Sequence, residues 1–287
     1  MADGSTTSPL VSTDWLAEHL DHSILRLADT RWYLGEPERG REAFLEAHIP
    51  GAIYVDLDTD LSAEDGLGRH PLPDWDIFAV RMCRLGIGDK NRVVAYDDRG
   101  GAIASRLWWM LRAIGHEHSY VLDGGLTAWT EDGHPVSDHV TSHPEADLSV
   151  SLQSGLTVDR DQLRERLGSI LTLDARSGDR YRGEVEPIDP IAGHIPTAIS
   201  ADFEGNLGPD QRFLPVDGLK ARYRSLGVDG SGTVVAYCGS GVSACHNVLA
   251  MEHAGLGRPL LYPGSWSDWS TAGFPVATGP DPGEPSG

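Results

Sequence analysis

The chain has 287 residues, of which 40% are hydrophobic and 23% charged, with a formal net charge of -20. That length is enough for two domains of ordinary size, each burying its own core. The acidity argues against a nucleic-acid partner, whose phosphates would be repelled, and no apolar run approaches the roughly 18 residues that span a bilayer, so no membrane partner is expected either.

The opening MADGSTTSPLVSTDWL has neither the basic start nor the apolar core of a secretory signal, so a cytoplasmic location is expected. Residues 1–12 read as polar and frayed. Ser12 or Thr13 can cap a helix over Asp14 to Leu20, and Ile24 to Asp29 reads as a buried strand. In AHIPGAIYVDLD, Ala47 to Asp58, a turn at Pro50 and Gly51 precedes another strand. The loop from Thr59 to Pro73 is rich in Asp, Gly and Pro, and long polar loops inside compact domains often carry function. A helix over Asp76 to Leu85 stops at Gly86, and Arg92 to Tyr96 is a buried strand. After the loop Asp97 to Gly101 comes an amphipathic helix, Ile103 to Ile114, ended by Gly115. A short strand at Tyr120 to Leu122 and a helix carrying Trp129 close the unit.

The same order then recurs. AGHIPTAISADFE, Ala192 to Glu204, mirrors AHIPGAIYVDLD; VVAYCGSGVSACHNVLAM, Val234 to Met251, mirrors VVAYDDRGGAIASRLWWM, Val93 to Met110; LYPGSWSDWSTAGFPV, Leu261 to Val276, mirrors VLDGGLTAWTEDGHPV, Val121 to Val136. Three motifs repeating in order at an offset of about 140 residues mark a tandem duplication. The expected boundaries are a first domain at 1–140, a polar linker at 141–155 and a second domain at 156–287. Strands alternating with helices predict an α/β fold in which each copy is a mostly parallel sheet flanked by helices, with its ligand beyond the carboxyl ends of the strands.

Three cysteines, Cys83, Cys238 and Cys245, form no disulfide framework and no zinc spacing. Cys238 and Cys245, seven apart, would lie roughly 10 Å from each other on one helix, too far to bridge. Cys238 ends the apolar run Val234 to Tyr237 and is followed by the glycine-rich loop Gly239, Ser240, Gly241, Val242, Ser243 and then a helix. Backbone N–H groups and the positive end of the helix dipole would make such a thiol acidic and reactive. The first copy carries Asp97 at that place, so only the second can do thiol chemistry. A cysteine-dependent phosphatase needs an arginine five residues beyond the loop's start, and Ala244 stands there, which disfavours phosphoryl transfer. Histidines at 116, 118, 134, 139 and 143 read as solvated surface, so no metal is expected; the tryptophans at 108, 109, 129, 266 and 269 read as packing.

The loop CGSGVSA, the paired GHIP-type motifs and the tandem layout resemble the rhodanese superfamily of two-domain sulfurtransferases, from about Asp14 to Val276. The resemblance implies a catalytic second domain, an inactive first copy, no cofactor, and a ping-pong cycle in which Cys238 takes sulfur as a persulfide from a small anionic donor, thiosulfate or 3-mercaptopyruvate. It passes the sulfur to a thiol, cyanide or a thioredoxin-like acceptor. It also implies a relay of Ser240, His70 in GRHPLP and Asp58 in VDLDTD, donor binding by Arg180, and a loop of amides from Gly239, Gly241, Val242 and Ser243 around the sulfur. Gly239 and Ser240 resemble the mercaptopyruvate enzymes. Those enzymes carry a second arginine nine residues after the first, where this chain has Asp189 in EPID, an acid that would repel a donor carboxylate unless it points away. Arg176 is expected in structural salt bridges. The alternative reading is a persulfide carrier without turnover, or a redox-sensing module serving a protein partner.

Overall fold

Residues 8–285 are described by the structure, a computed structural model. The expectations for residues 1–7 and 286–287 lie outside the described residues. The chain divides into two units: Met1–Leu61 with Asp74–Gln153 and Pro209–Phe213, and Ser62–Pro73 with Ser154–Gly208 and Leu214–Gly287. The polar loop after Thr59 is thus split, and its larger part, Ser62–Pro73, belongs with the second unit.

The first unit runs β1 (Leu10–Val11), α1 (Thr13–His19), β2 (Leu25–Asp29), α2 (Arg39–Glu46), β3 (Ala52–Tyr54), α3 (Trp75–Arg84), β4 (Arg92–Tyr96), α4 (Ala104–Ala113), β5 (Ser119–Leu122) and α5 (Gly125–Glu131). Its strands pair in the order β1-β5-β4-β2-β3, all parallel. Leu10 and Val11 are therefore not frayed: both are buried and pair with Val121 and Leu122. Ser12 caps α1 by accepting the Trp15 N–H, as its position predicts.

The second unit continues with α6 (Arg160–Glu165), β6 (Leu171–Asp174), α7 (Gly178–Arg182), β7 (Ile199–Ser200), a 3-10 turn (Phe203–Asn206), α8 (Val216–Ser225), β8 (Val234–Tyr237), α9 (Ala244–His253), β9 (Leu260–Leu261) and α10 (Ser265–Trp269). Its sheet order is β7-β6-β8-β9, again parallel. Parallel strands buried on both faces explain the unbroken apolar runs VVAY in β4 and β8. The helix after β8 begins only at Ala244, so Cys238 lies in the loop before it and not on one helix with Cys245.

Equivalent side chains repeat their bonds. Arg31 forks onto Asp29 as Arg176 does onto Asp174, closing at 2.7 Å in each case. The hydroxyls of Tyr96 and Tyr237 accept the N–H groups of Ile49 and Ile195. His48 stacks on Phe44 and His194 on Tyr181, so the histidine of each GHIP-type motif is a packing residue. Trp129 and Trp269 are fully buried and donate to the carbonyls of Pro135 and Pro275. Arg176 also pairs with Glu186 at 3.2 Å; burial opposes its charge, but Asp174 and Glu186 hold its pKa above the ordinary value. Among the described residues no helix is long and apolar enough to cross a membrane, and no His, Cys, Asp and Glu cluster could hold a metal ion.

Candidate active site

In the second unit β8 delivers Cys238 to the carboxyl edge of the sheet, where the thiol is free and 2% exposed. Its backbone is held on both sides. The Cys238 N–H donates to Ser265 Oγ at 3.1 Å, while the Cys238 and Gly239 carbonyls accept the N–H groups of Trp266 at 3.0 Å and Ser267 at 2.9 Å. Ser265 adopts φ +54, a left-handed conformation that costs a non-glycine residue of order 1–3 kcal/mol. The corresponding residue of the first unit is Gly125, and the serine keeps the same backbone while adding the hydroxyl that fixes the cysteine.

Of the loop amides expected around the sulfur, the Gly241 N–H is the one at bonding distance, 3.1 Å from Cys238 Sγ. Gly241 has φ +76, and a Cβ there would lie 2.4 Å from the Pro263 carbonyl oxygen, so glycine alone lets the loop curl this tightly. Its carbonyl accepts the buried Cys245 thiol at 3.3 Å, so Cys245 braces the loop from beneath. Val242 and Ser243 turn the chain into α9 by accepting from Cys245 and His246 through their carbonyls.

The first unit shows what this loop shape holds. The Asp97 carboxylate accepts four backbone N–H groups, those of Arg99 and Gly101 at 2.8 Å, Ile103 at 2.7 Å and Ala104 at 2.9 Å. The β4–α4 loop is an anion cradle filled by its own side chain. The matching chain positions in the second unit are Ser240, Val242, Ala244 and Cys245.

The segment Gly68–His70 is pinned beside this loop. The Arg69 N–H donates to Ser267 Oγ at 3.0 Å, and His70 Nδ1 lies 2.7 Å from Ser240 Oγ, both side chains being buried. His70 and Ser240, 170 positions apart in the chain, thus meet two residues from the nucleophile. Asp58 belongs to the first unit, where it accepts the Trp32 indole N–H at 2.8 Å.

Arg180, on α7, pairs with Glu186 at 2.7 Å and with Asp189 at 3.3 Å. Asp189 is not an open acid facing the donor. It is bound by two guanidinium groups, Arg180 and Arg69, with burial raising its pKa and the attraction of Arg69 opposing that rise. Both arginines close over Gly239: a Cβ at that residue would come within 2.8 Å of Arg69 Nη2 and 3.5 Å of Arg180 Nη1. Arg182 makes an exposed pair with Glu184 at 2.8 Å. Sequence reasoning passed over Arg69, Ser265 and Ser267. Arg69 stands next to a residue that was singled out, and Ser265 replaces a glycine of the repeat, but neither carries a spacing that names its role.

A nucleophilic sulfur in an amide-lined loop, on the second of two like parallel α/β units, defines a thiol-dependent group-transfer site. The chain belongs to the family described as rhodanese-like domain, which matches residues 12–132 and 159–272. A Pseudomonas aeruginosa protein named a probable 3-mercaptopyruvate sulfurtransferase is 44% identical, covering 96% of this chain and 99% of that one. The thiosulfate sulfurtransferase of Gallus gallus is 33% identical over 91% of this chain and 92% of its own. The structure of Escherichia coli SseA, a 3-mercaptopyruvate sulfotransferase, superposes with a TM-score of 0.81 at 30% identity, covering 90% of this chain and 99% of that one. The protein is a tandem rhodanese-like sulfurtransferase.

Proposed function

We propose that the protein takes sulfur from 3-mercaptopyruvate onto Cys238 and hands it to a thiol, a thioredoxin-like protein or cyanide. The observation that carries this reading is the 2.7 Å contact between His70 Nδ1 and Ser240 Oγ beside the nucleophile. The Cys238 thiolate attacks the donor sulfur, the carbon–sulfur bond breaks, and its electron pair leaves as the enolate of pyruvate. The proton released by the donor thiol moves through Ser240 and His70 to the enolate carbon, leaving Cys238–S–S⁻ and pyruvate. Once that persulfide is protonated, an acceptor thiolate attacks the outer sulfur, forming its own persulfide and returning Cys238 as the thiolate. Thiosulfate would leave as sulfite, which needs no such proton. The Gly241 N–H and the amides at the positions that hold the Asp97 carboxylate in the other copy would support the persulfide anion.

Arg180 anchors the donor. The carboxylates of Glu186 and Asp189 offset the local positive charge, which suits a single carboxylate better than a dianion. Asp58 stays in the relay on its motif alone, and three cysteines that form no disulfide suit a reducing cytoplasm.

Intact mass after exposure to each donor tests the reading. The wild type should gain one sulfur atom from 3-mercaptopyruvate and Cys238→Ser none. His70→Ala should slow loading from 3-mercaptopyruvate by about 10²-fold or more while leaving thiosulfate within a fewfold. Loading from thiosulfate alone would make that the donor. Stoichiometric loading without turnover in the presence of small acceptors would favour the carrier reading.

A further inference from the structure

Among the described residues three carry a side chain on left-handed backbone, Thr197, Gln211 and Ser265, and of these Ser265 alone is buried. Its φ of +54 is one that glycine takes without strain, and the first unit does have glycine at the matching place, Gly125 at φ +57. Such strain persists only where the surroundings over-determine it, and here they do. The N–H groups of Trp266 and Ser267 are bound to the Cys238 and Gly239 carbonyls, and that of Asp268 to the Gly264 carbonyl at 3.1 Å. The buried Asp268 carboxylate in turn accepts the Tyr262 hydroxyl at 2.7 Å and Arg160 at 2.9 Å. The single hydrogen of the Ser265 hydroxyl goes to the Tyr262 carbonyl at 2.9 Å, which leaves its oxygen to accept from the Cys238 N–H at 3.1 Å. A Cβ at Gly125 would lie 2.2 Å from the Asp97 carbonyl oxygen, so the turn of the first unit has no room for a serine. The strained hydroxyl belongs to the unit that carries the nucleophile.

We propose that Ser265 is a positioning residue for the sulfur transfer: its hydroxyl fixes the backbone of Cys238, so that the sulfur keeps its place on the Gly241 amide through the cycle. The inference rests on Cys238 as the nucleophile of the proposed function and holds for either donor. The reason is geometric. A cysteine that alternates between thiol and persulfide lengthens and shortens by one S–S bond, about 2 Å, and the loop serves both forms only if the backbone does not follow. With its N–H on Ser265 and its carbonyl on Trp266, Cys238 is held on both sides of its Cα and keeps only its side-chain torsion. The Gly241 N–H, 3.1 Å from Sγ, then meets the sulfur from a set direction. Without the hydroxyl a buried N–H loses its acceptor and the cysteine is held from the carbonyl side alone.

A pair of variants separates positioning from stability. Ser265→Ala and Ser265→Gly both remove the hydroxyl, but glycine also relieves the strain. In single-turnover loading from 3-mercaptopyruvate and from thiosulfate, the limiting rate should fall by about 10- to 100-fold in both variants, with the half-saturating donor concentration within about twofold of the wild type. Thermal unfolding of the glycine variant should nevertheless lie about 3–6 °C above that of the alanine variant. Exchange of the Cys238 amide hydrogen should be faster than in the wild type in both. A serine that only stabilises the turn predicts otherwise: the glycine variant, the more stable of the two, would load sulfur faster than the alanine variant. Rates that rank with the melting temperatures, or a Ser265→Gly protein that loads both donors within twofold of the wild type, would overturn the role of Ser265 and leave the proposed function standing. If the alanine variant does not fold, the glycine variant decides alone, by its rate and its amide exchange. A wild type that gains no sulfur from either donor would bring down the reading of Cys238 as well.

Discussion

Replacing Gly241 by alanine probes how closely the loop must wrap Cys238. The added Cβ would sit 2.4 Å from the Pro263 carbonyl oxygen and 3.0 Å from its Cα, against a backbone segment that cannot swing aside as a side chain could. Real Cβ contacts do not fall below 3.0 Å, so the loop and Pro263 must part by some 0.6 Å or more. The residue must also keep φ +76, which costs a non-glycine residue about 1–2 kcal/mol. The group displaced is the N–H that donates to Cys238 Sγ at 3.1 Å. Lengthening that bond weakens support for the sulfur anion, and displacements approaching 1 Å in a catalytic site cost up to about 10²-fold in rate. The expected result is a fall of about 10- to 100-fold in the single-turnover rate of sulfur loading, by a similar factor for 3-mercaptopyruvate and thiosulfate, since the loop serves either donor. Thermal unfolding should move down by about 3–10 °C. A Gly241→Ala protein that loads both donors within twofold of the wild type would refute the idea that this amide supports the reacting sulfur.

Two further outcomes are expected. Asp97→Ala strips four backbone N–H groups of their acceptor in a buried loop, so it should destabilise the first unit by about 2–4 kcal/mol, with Asp97→Asn intermediate, as read by calorimetry; kcat/KM at low temperature should stay within about threefold, and an unchanged unfolding profile would contradict the cradle. Burial lowers the pKa of His116, which lies 3.3 Å from the Gly88 carbonyl, so the folded state keeps it neutral at a pH where the unfolded chain binds a proton. Its contribution to stability is therefore present above the unfolded pKa of about 6.5 and is lost as pH falls below it. His116→Asn should flatten the drop in melting temperature between pH 7.5 and 5.5, and equal slopes in the two proteins would count against this assignment.

Much was legible in the chain because it rests on local chemistry repeated twice. The apolar runs at β4 and β8, the glycine stops, the Ser12 cap and the duplicated motifs follow from side-chain period and backbone freedom, which neighbouring residues set. The cysteine was legible too, since strand, glycine loop and helix are contiguous and only one copy carries a thiol. Leu10 and Val11 were misread because two apolar residues carry no period; their strand exists only through pairing with β5.

The charges around Cys238 are another matter. Asp189 reads as a repulsive acid until its neighbours are known, and its sign of effect reverses once Arg69 and Arg180 are found on its two oxygens. Arg69 is 120 positions away from Asp189, and His70 is 170 from Ser240, separations across which no spacing rule operates. The sequence by itself determined the duplicated α/β fold and the nucleophile, because those depend on contiguous residues. Only the tertiary structure decided which cations and which proton-carrying groups stand beside that nucleophile, because electrostatic partnership is set by distance in space and not by distance along the chain.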